Sequence, residues 1–386
     1  MKNETKQELG IYIHMPFCKQ KCYYCDFISY ANKENKAEEY SNCIIKELSS
    51  YDLNKYNVTT IYIGGGTPSF IDSNYINKIV GELRIKLKNN ITKFEDIEIT
   101  IEVNPGTVTL EKLKQYKEAG INRISIGLQS TSDELLKEIG RIHNYQEFLD
   151  AYKMARKVGF ENINVDLIVG LPKQTIEDLK ESIEKVTDLN PEHISVYSLI
   201  LEENTKLEKM INQGELKLPE EDLERQMYWY VKNMLELKGY NHYEISNFSK
   251  KGKKSKHNLN CWEQKEYIGL GVAAHSYIDM KRYSNTENLE EYIKNIEDNL
   301  IGNNKTLHEE QKIEEAKKEY MMLGLRKIEG VSITKFEEKY NENPIYLFRN
   351  ELDKLVKEKL VEVDLDNIKL TNKGLDFANL VFEEFV

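Results

Sequence analysis

The chain has 386 residues, 40% of them hydrophobic and 31% charged, with 20 Gly and 7 Pro. This composition is globular rather than fibrous or disordered, and the length calls for more than one small core. A formal charge of −11 repels nucleic-acid backbones over most of the surface, so no nucleic-acid partner is expected.

The opening MKNETKQELG is polar and carries no apolar run of signal-peptide or membrane-span length. A cytoplasmic protein with no transmembrane segment is expected. Between residues 9 and 200, short β-branched runs alternate with helical patterns, the signature of repeated βα units on a mainly parallel sheet. The predicted strands are Gly10–His14, Thr60–Ile63, Ile97–Glu102, Arg123–Gly127, Asn162–Asp166 and His193–Tyr197. The predicted helices are Glu34–Tyr51, Ser73–Lys88, Thr109–Ala119, Ser132–Ile139, Tyr145–Val158 and Thr175–Thr187, with Thr109 and Thr175 in capping positions.

Beyond residue 200 the rhythm changes. Pro219–Lys238 reads as one long helix, Ser249–His257 as a basic, flexible stretch, and Gly269–Gly271 as a turn before Val272–His275. From about Leu307, helical patterns at Glu309–Leu325, Ile333–Tyr340 and Leu347–Glu358 precede a small hairpin, a winged-helix-like order. The expected divisions are a barrel over 1–215, a helical and loop extension packing on it over 216–305, and a C-terminal α+β unit over 306–386. Without basic enrichment on a reading helix, that last unit is expected to pack or dock rather than read DNA.

The strongest chemical signal is Cys18-Lys-Gln-Lys-Cys22-Tyr-Tyr-Cys25. Three thiolates this close can ligate three irons of a cubane cluster and leave the fourth iron open. The alternative is zinc, which would want a fourth protein ligand, and His14 is the only histidine nearby. Cys43 and Cys261 read as spare thiols.

The span from Tyr12 through Cys25-Asp26-Phe27 resembles the cluster loop of radical S-adenosylmethionine (SAM) proteins. More narrowly, it is similar to the branch holding oxygen-independent coproporphyrinogen III dehydrogenases and HemW-like heme chaperones. The resemblance continues through Gly64-Gly65-Gly66-Thr67-Pro68, Glu102-Val-Asn104-Pro105, Asn122 to Ser130, Gly140-Arg141-Ile-His143, Asn164-Val-Asp166 to Pro172, and His257-Asn-Leu-Asn-Cys261-Trp262. It implies an α/β partial (β/α)6 barrel, a [4Fe-4S] cluster on Cys18, Cys22 and Cys25, and SAM on the open iron.

In such proteins electron transfer from the cluster breaks a carbon–sulfur bond of SAM to give a 5′-deoxyadenosyl radical, while the protein positions, tunes and shields. Glycines 64–66, with Thr67 following, let the backbone approach the methionyl end, although a tight strand-to-helix turn would use the same residues. The resemblance places Glu102, Gln129, Arg141 and Asp166 around SAM and Tyr12 against it, and gives Phe27 the role of shielding the cluster, although a core aromatic would read the same way. Each polar residue, taken singly, also reads as a cap or a surface ion-pair partner.

Two functions divide the branch. The dehydrogenases carry a longer N-terminal extension and a cysteine where this chain has Phe27, and only 17 residues precede Cys18 here. Both differences match the HemW-like subgroup, whose implied function is to bind heme and deliver it to an acceptor protein, such as a respiratory component, with a reductant protein serving the cluster. Tyr24 resembles the aromatic found near this place in dehydrogenases. It keeps open the alternative, an enzyme converting two propionates of coproporphyrinogen III to vinyl groups. His257 is the candidate heme ligand, with an ordinary hydrogen-bonded loop histidine as the equal alternative. His275 reads as a further polar contact.

Overall fold

The computed structural model describes residues 6–88 and 93–386. Six strands, β1 (Gln7–Met15), β2 (Tyr56–Gly65), β3 (Glu98–Val103), β4 (Arg123–Gln129), β5 (Ile163–Val169) and β6 (His193–Ser198), lie side by side in chain order, every neighbouring pair parallel. Helices Ala37–Ser49, Ser73–Leu87, Leu110–Ala119, Tyr145–Val158 and Ile176–Asp188 make the return crossings. Thr109 and Thr175 cap their helices as the sequence predicts, Thr175 in a reciprocal capping box with Asp178.

The period of two along these strands sorts chemistry from packing. Ile11, Ile13, Ile61, Ile63, Ile99, Ile101, Ile124 and Ile126 are all buried and belong to the principal core. The alternate positions carry Tyr12, Tyr62, Glu102, Ser125 and Asp166, so the opposite face of the same sheet is polar. Register sets the rows on that face: Tyr12 pairs with Tyr62, Glu102 with Ser125, and Gly127 with Asp166.

The stretch 216–305 is more than the expected helical and loop extension, because it also builds sheet. Asn241–Glu244 and Asn247–Ser249 add antiparallel strands beyond β6. Glu266–Leu270 runs parallel to β1 on its other side, followed by antiparallel His275–Ile278, Lys281–Asn285 and Lys305–Glu310. The result is one mixed, twelve-stranded sheet. Lys305–Glu310 crosses the expected division at 305/306 and belongs to this sheet. The expected flexible stretch 249–257 instead ends a strand and enters the helix Lys256–Trp262, capped by Ser255.

The C-terminal unit starts with the helix Ile313–Gly324 and has its own core, built on Met321, Leu325, Phe336, Leu352, Leu355 and Ile368. Its three short strands order as Val331–Ser332, Asn367–Leu370, Val361–Val363. It is tied to the main sheet where the Ile245 N–H donates to the Arg326 carbonyl and the Ile328 N–H to the Tyr243 carbonyl, both at 3.1 Å. Gln264 adds a second tie, accepting from Lys339 Nζ (2.9 Å) and the Tyr340 hydroxyl (2.7 Å) while donating to the Ala316 carbonyl.

Candidate functional site

The three cysteines leave the C-terminal end of β1 in one loop. Cys18 closes the two-residue strand Phe17–Cys18, which pairs with Tyr30–Ala31, and Cys22 and Cys25 form a turn through the Cys25 N–H and the Cys22 carbonyl (3.3 Å). The loop is clamped on both sides. The Tyr23 N–H donates to the Ile139 carbonyl, and the Tyr23 carbonyl accepts from the Leu207 N–H. All three cysteines are free thiols, Cys18 buried and sharing a 3.5 Å hydrogen bond with Thr67. Burial, and then the nearby Cys22 charge, push the Cys25 thiol up to about 11. Deprotonating the Cys18 and Cys25 sulfurs, both raised by burial, therefore calls for a compensating positive centre, which an iron cluster supplies.

Among the described residues no three His, Cys, Asp or Glu side chains converge tightly enough for a single metal ion. His14, the fourth ligand that the zinc alternative would need, has both ring nitrogens engaged. Nε2 donates to the Ile28 carbonyl (2.8 Å) and Nδ1 accepts from the Tyr12 hydroxyl (3.0 Å).

Arg141 joins the loop to the sheet. Its Nη1 donates to Cys22 Sγ at 3.5 Å, and its Nη2 donates to Asn104 Oδ1 (2.8 Å) and the Gly127 carbonyl (2.6 Å). Its Nε is buried and, among the described residues, has no hydrogen-bond partner. Such an orphan in a native site asks for a ligand. Gln129 stands at a β-bulge with φ of +70°, which turns its side chain back over Gly127. A Cβ on Gly127 would meet Asn104 Oδ1 and Gln129 Nε2 at 3.0 Å and Arg141 Nη2 at 3.2 Å. Gly127 is thus the bare floor on which three polar groups converge.

Glu102 accepts from the Tyr62 hydroxyl (2.8 Å) and the Gly65 N–H (3.2 Å). Burial pushes it up to about 7, with the Asp166 charge adding to the rise. Asp166 is likewise raised by burial and is held by Ser125 (3.0 Å) and Asn164 (2.7 Å). Two buried carboxylates facing a common interior favour a cationic ligand, such as an amine or a sulfonium. The glycine run fits closely beneath them. A Cβ on Gly64 would strike the Glu102 carboxyl at 2.9 Å, one on Gly65 the His14 ring at 2.4 Å, and one on Gly66 the Met15 carbonyl at 2.8 Å. Thr67 accepts from Asn104 Nδ2 (2.8 Å) and so links Cys18 to the Arg141 network.

The structure therefore gathers Tyr12, the glycines, Thr67, Glu102, Gln129, Arg141 and Asp166 at one face with the cysteine loop. Phe27 stands apart at 59% exposure, on the outer rim rather than packed in the core. His257 is not a loop residue. It lies in the helix Lys256–Trp262 at 8% exposure, with Nδ1 bonded to Thr60 Oγ1 (2.9 Å) and its ring stacked on Tyr62 at 5.1 Å. Asn104, Gly127 and Tyr62 went unassigned from sequence. The first two sit in the quoted motifs, but only the three-dimensional convergence gives them a role.

The model of the radical SAM superfamily matches residues 12–186, and that of the HemN C-terminal domain matches residues 312–377. The heme chaperone HemW of Lactococcus lactis is 38% identical over 97% of this chain and 96% of its own length. That of Bacillus subtilis is 39% identical over 97% and 98%. Among solved structures, the coproporphyrinogen III oxidase HemN of Escherichia coli, a radical SAM enzyme, superposes with a TM-score of 0.84 at 24% identity, covering 98% of this chain and 90% of that one. That likeness shows a shared fold.

Proposed function

This chain belongs to the HemW family of radical SAM proteins, and we propose from that premise that it binds heme and passes it to an acceptor protein. The observation that carries the reading is the match to HemW chaperones along nearly the whole of both chains. The HemN likeness extends to the fold alone, which both members of the branch share, and so does not favour the dehydrogenase.

On this reading Cys18, Cys22 and Cys25 hold a [4Fe-4S] cluster, and the orphan Arg141 Nε with the paired carboxylates Glu102 and Asp166 receives SAM. A guanidinium suits the methionyl carboxylate, and the carboxylates suit the amine or ribose hydroxyls. Cluster and SAM together, when bound, supply one-electron reductive chemistry. The chain's own residues orient the ligand: Gly66 lets the loop close on Met15, Tyr62 and the Gly65 N–H fix Glu102, and Asn104 holds Arg141 over Cys22. The C-terminal unit, helices followed by a small sheet, supports a winged-helix-like docking module, with the acceptor and a reductant protein as partners. Among the described residues no helix is long and apolar enough to cross a membrane.

The test is an anaerobic reaction of the cluster-loaded chain with reductant, SAM and coproporphyrinogen III, resolved by chromatography beside an active dehydrogenase. No protoporphyrinogen IX from this chain is expected. Catalytic formation of it would replace heme delivery by the decarboxylating activity.

A further inference from the structure

The polar face of the sheet does not end at β1. Tyr12 pairs with Gly269 on the neighbouring parallel strand, and two residues on from the Tyr267–Tyr277 pair that glycine lies across from His275. His275 in turn pairs with Ser284. One row therefore runs Tyr62, Tyr12, Gly269, His275, Ser284 across five strands, and the glycine leaves no side chain between Tyr12 and His275.

His275 is exposed, and among the described residues its ring nitrogens have no hydrogen-bond partner. It stacks against the exposed His308 ring, centroids 5.9 Å apart and planes 22° apart, and His308 Nε2 is held by Ser284 Oγ at 2.6 Å. The row also reaches the cluster loop. His275 is near enough to His14 for its charge to oppose charging of His14, and His14 holds the carbonyl of Ile28, beside the exposed Phe27 ring.

We propose that His275 is the axial ligand of the heme iron, with His308 orienting its ring and the porphyrin lying along this row toward Tyr12 and Phe27. The proposal rests on the heme-binding reading above and deepens it by naming the iron site. The chemistry suits the residue. Heme supplies four equatorial nitrogens and needs from the protein one open, neutral imidazole. Partial desolvation against the sheet, then the His308 and Arg282 charges, lower the His275 pKa and favour the neutral imidazole, while the ring stays open to solvent. His257 is neutral but not open. Its Nδ1 is used by Thr60, its ring face is covered by Tyr62, and it is enclosed by the sheet.

The test uses the full, cluster-loaded chain, titrated with heme and followed by difference absorption, with resonance Raman of the ferrous form reporting the iron–imidazole bond. His275→Ala is expected to remove the imidazole signature and weaken heme binding by about tenfold or more. His308→Ala is expected to shift that signature while heme stays bound, and His257→Asn to leave it in place. Unchanged affinity and signature in His275→Ala, or their loss in His257→Asn with the cluster absorbance intact, would overturn the assignment. A wild-type chain showing no saturable heme binding would instead sink the heme reading itself.

Discussion

Arg141 donates from one guanidinium nitrogen to Cys22 Sγ at 3.5 Å and from another to Asn104 Oδ1 at 2.8 Å, so a single side chain spans the cysteine loop and the strand ends. Its third nitrogen is buried and finds no partner among the described residues. Lysine has no planar fork and cannot make these contacts together. Arg141→Lys is expected to leave cluster content, read by iron and sulfide analysis, close to wild type. It should weaken SAM binding, measured by calorimetry, by roughly 10- to 100-fold, the loss of one or two charge-assisted hydrogen bonds. Unchanged SAM affinity would remove Arg141 from the ligand site.

Two glycines allow a controlled comparison. At Gly66 a Cβ would meet the Met15 carbonyl at 2.8 Å and Phe17 N at 3.0 Å, all backbone that cannot swing away, whereas at Gly81 in the helix Ser73–Leu87 nothing lies within 4 Å. Gly66→Ala is expected to cost about 1–3 kcal/mol and to lower cluster retention. Gly81→Ala should stabilise the chain by about 0.5–1 kcal/mol. Urea unfolding of both variants checks the contrast.

Buried histidines make the fold acid-sensitive. Burial lowers His257 to about 4, from an unfolded value of 6.5. A base whose folded pKa is depressed contributes stability that is complete above the unfolded value and is lost as pH falls through the folded one, here from 6.5 down to about 4. The shift corresponds to about 3 kcal/mol at most. Stability measured by urea at pH 7, 5.5 and 4.5 should fall steadily in the wild type and less steeply in His257→Gln. His14 and His242, also lowered to about 4 by burial, retain their share of the slope in that variant. Glu102 works in the opposite window: its raised pKa gives stability present below 4.5 and lost as pH rises to about 7.

Gln264 holds the C-terminal unit through contacts with Lys339, Tyr340 and Ala316. Gln264→Ala removes these side-chain bonds, while Tyr340 keeps the Ala316 carbonyl and Lys339 the residue-264 carbonyl, and is expected to cost about 1–2 kcal/mol. Limited proteolysis should then release a fragment beginning near Ile313. Cleavage no faster than in the wild type would show that the strand pairing at Tyr243 and Ile245 suffices.

The parallel core was legible because β-branched runs and helical periods alternate over residues 9–200, and the cysteine loop because its spacing is chemically specific. Glu266–Leu270 was not. It is a short strand starting on a charged residue, and its partner β1 lies some 250 residues earlier, so no local pattern announces the pairing. His257 was misplaced for a related reason. The basic residues around it suggest a solvated loop, yet Ser255 caps a helix there that turns the imidazole into the sheet interior against Thr60. The row from Tyr12 to His275 depends wholly on that unannounced strand, which is why His275 read only as a generic polar contact.

The central claim is tested most directly by loading the anaerobic, cluster-bearing chain with heme, removing the excess by gel filtration, and mixing it with a separable heme-free acceptor hemoprotein. The account predicts about one heme retained per chain and its movement onto the acceptor, read by absorption of the separated proteins. A chain that retains no heme, or that keeps it in the presence of the acceptor while converting coproporphyrinogen III, would contradict it.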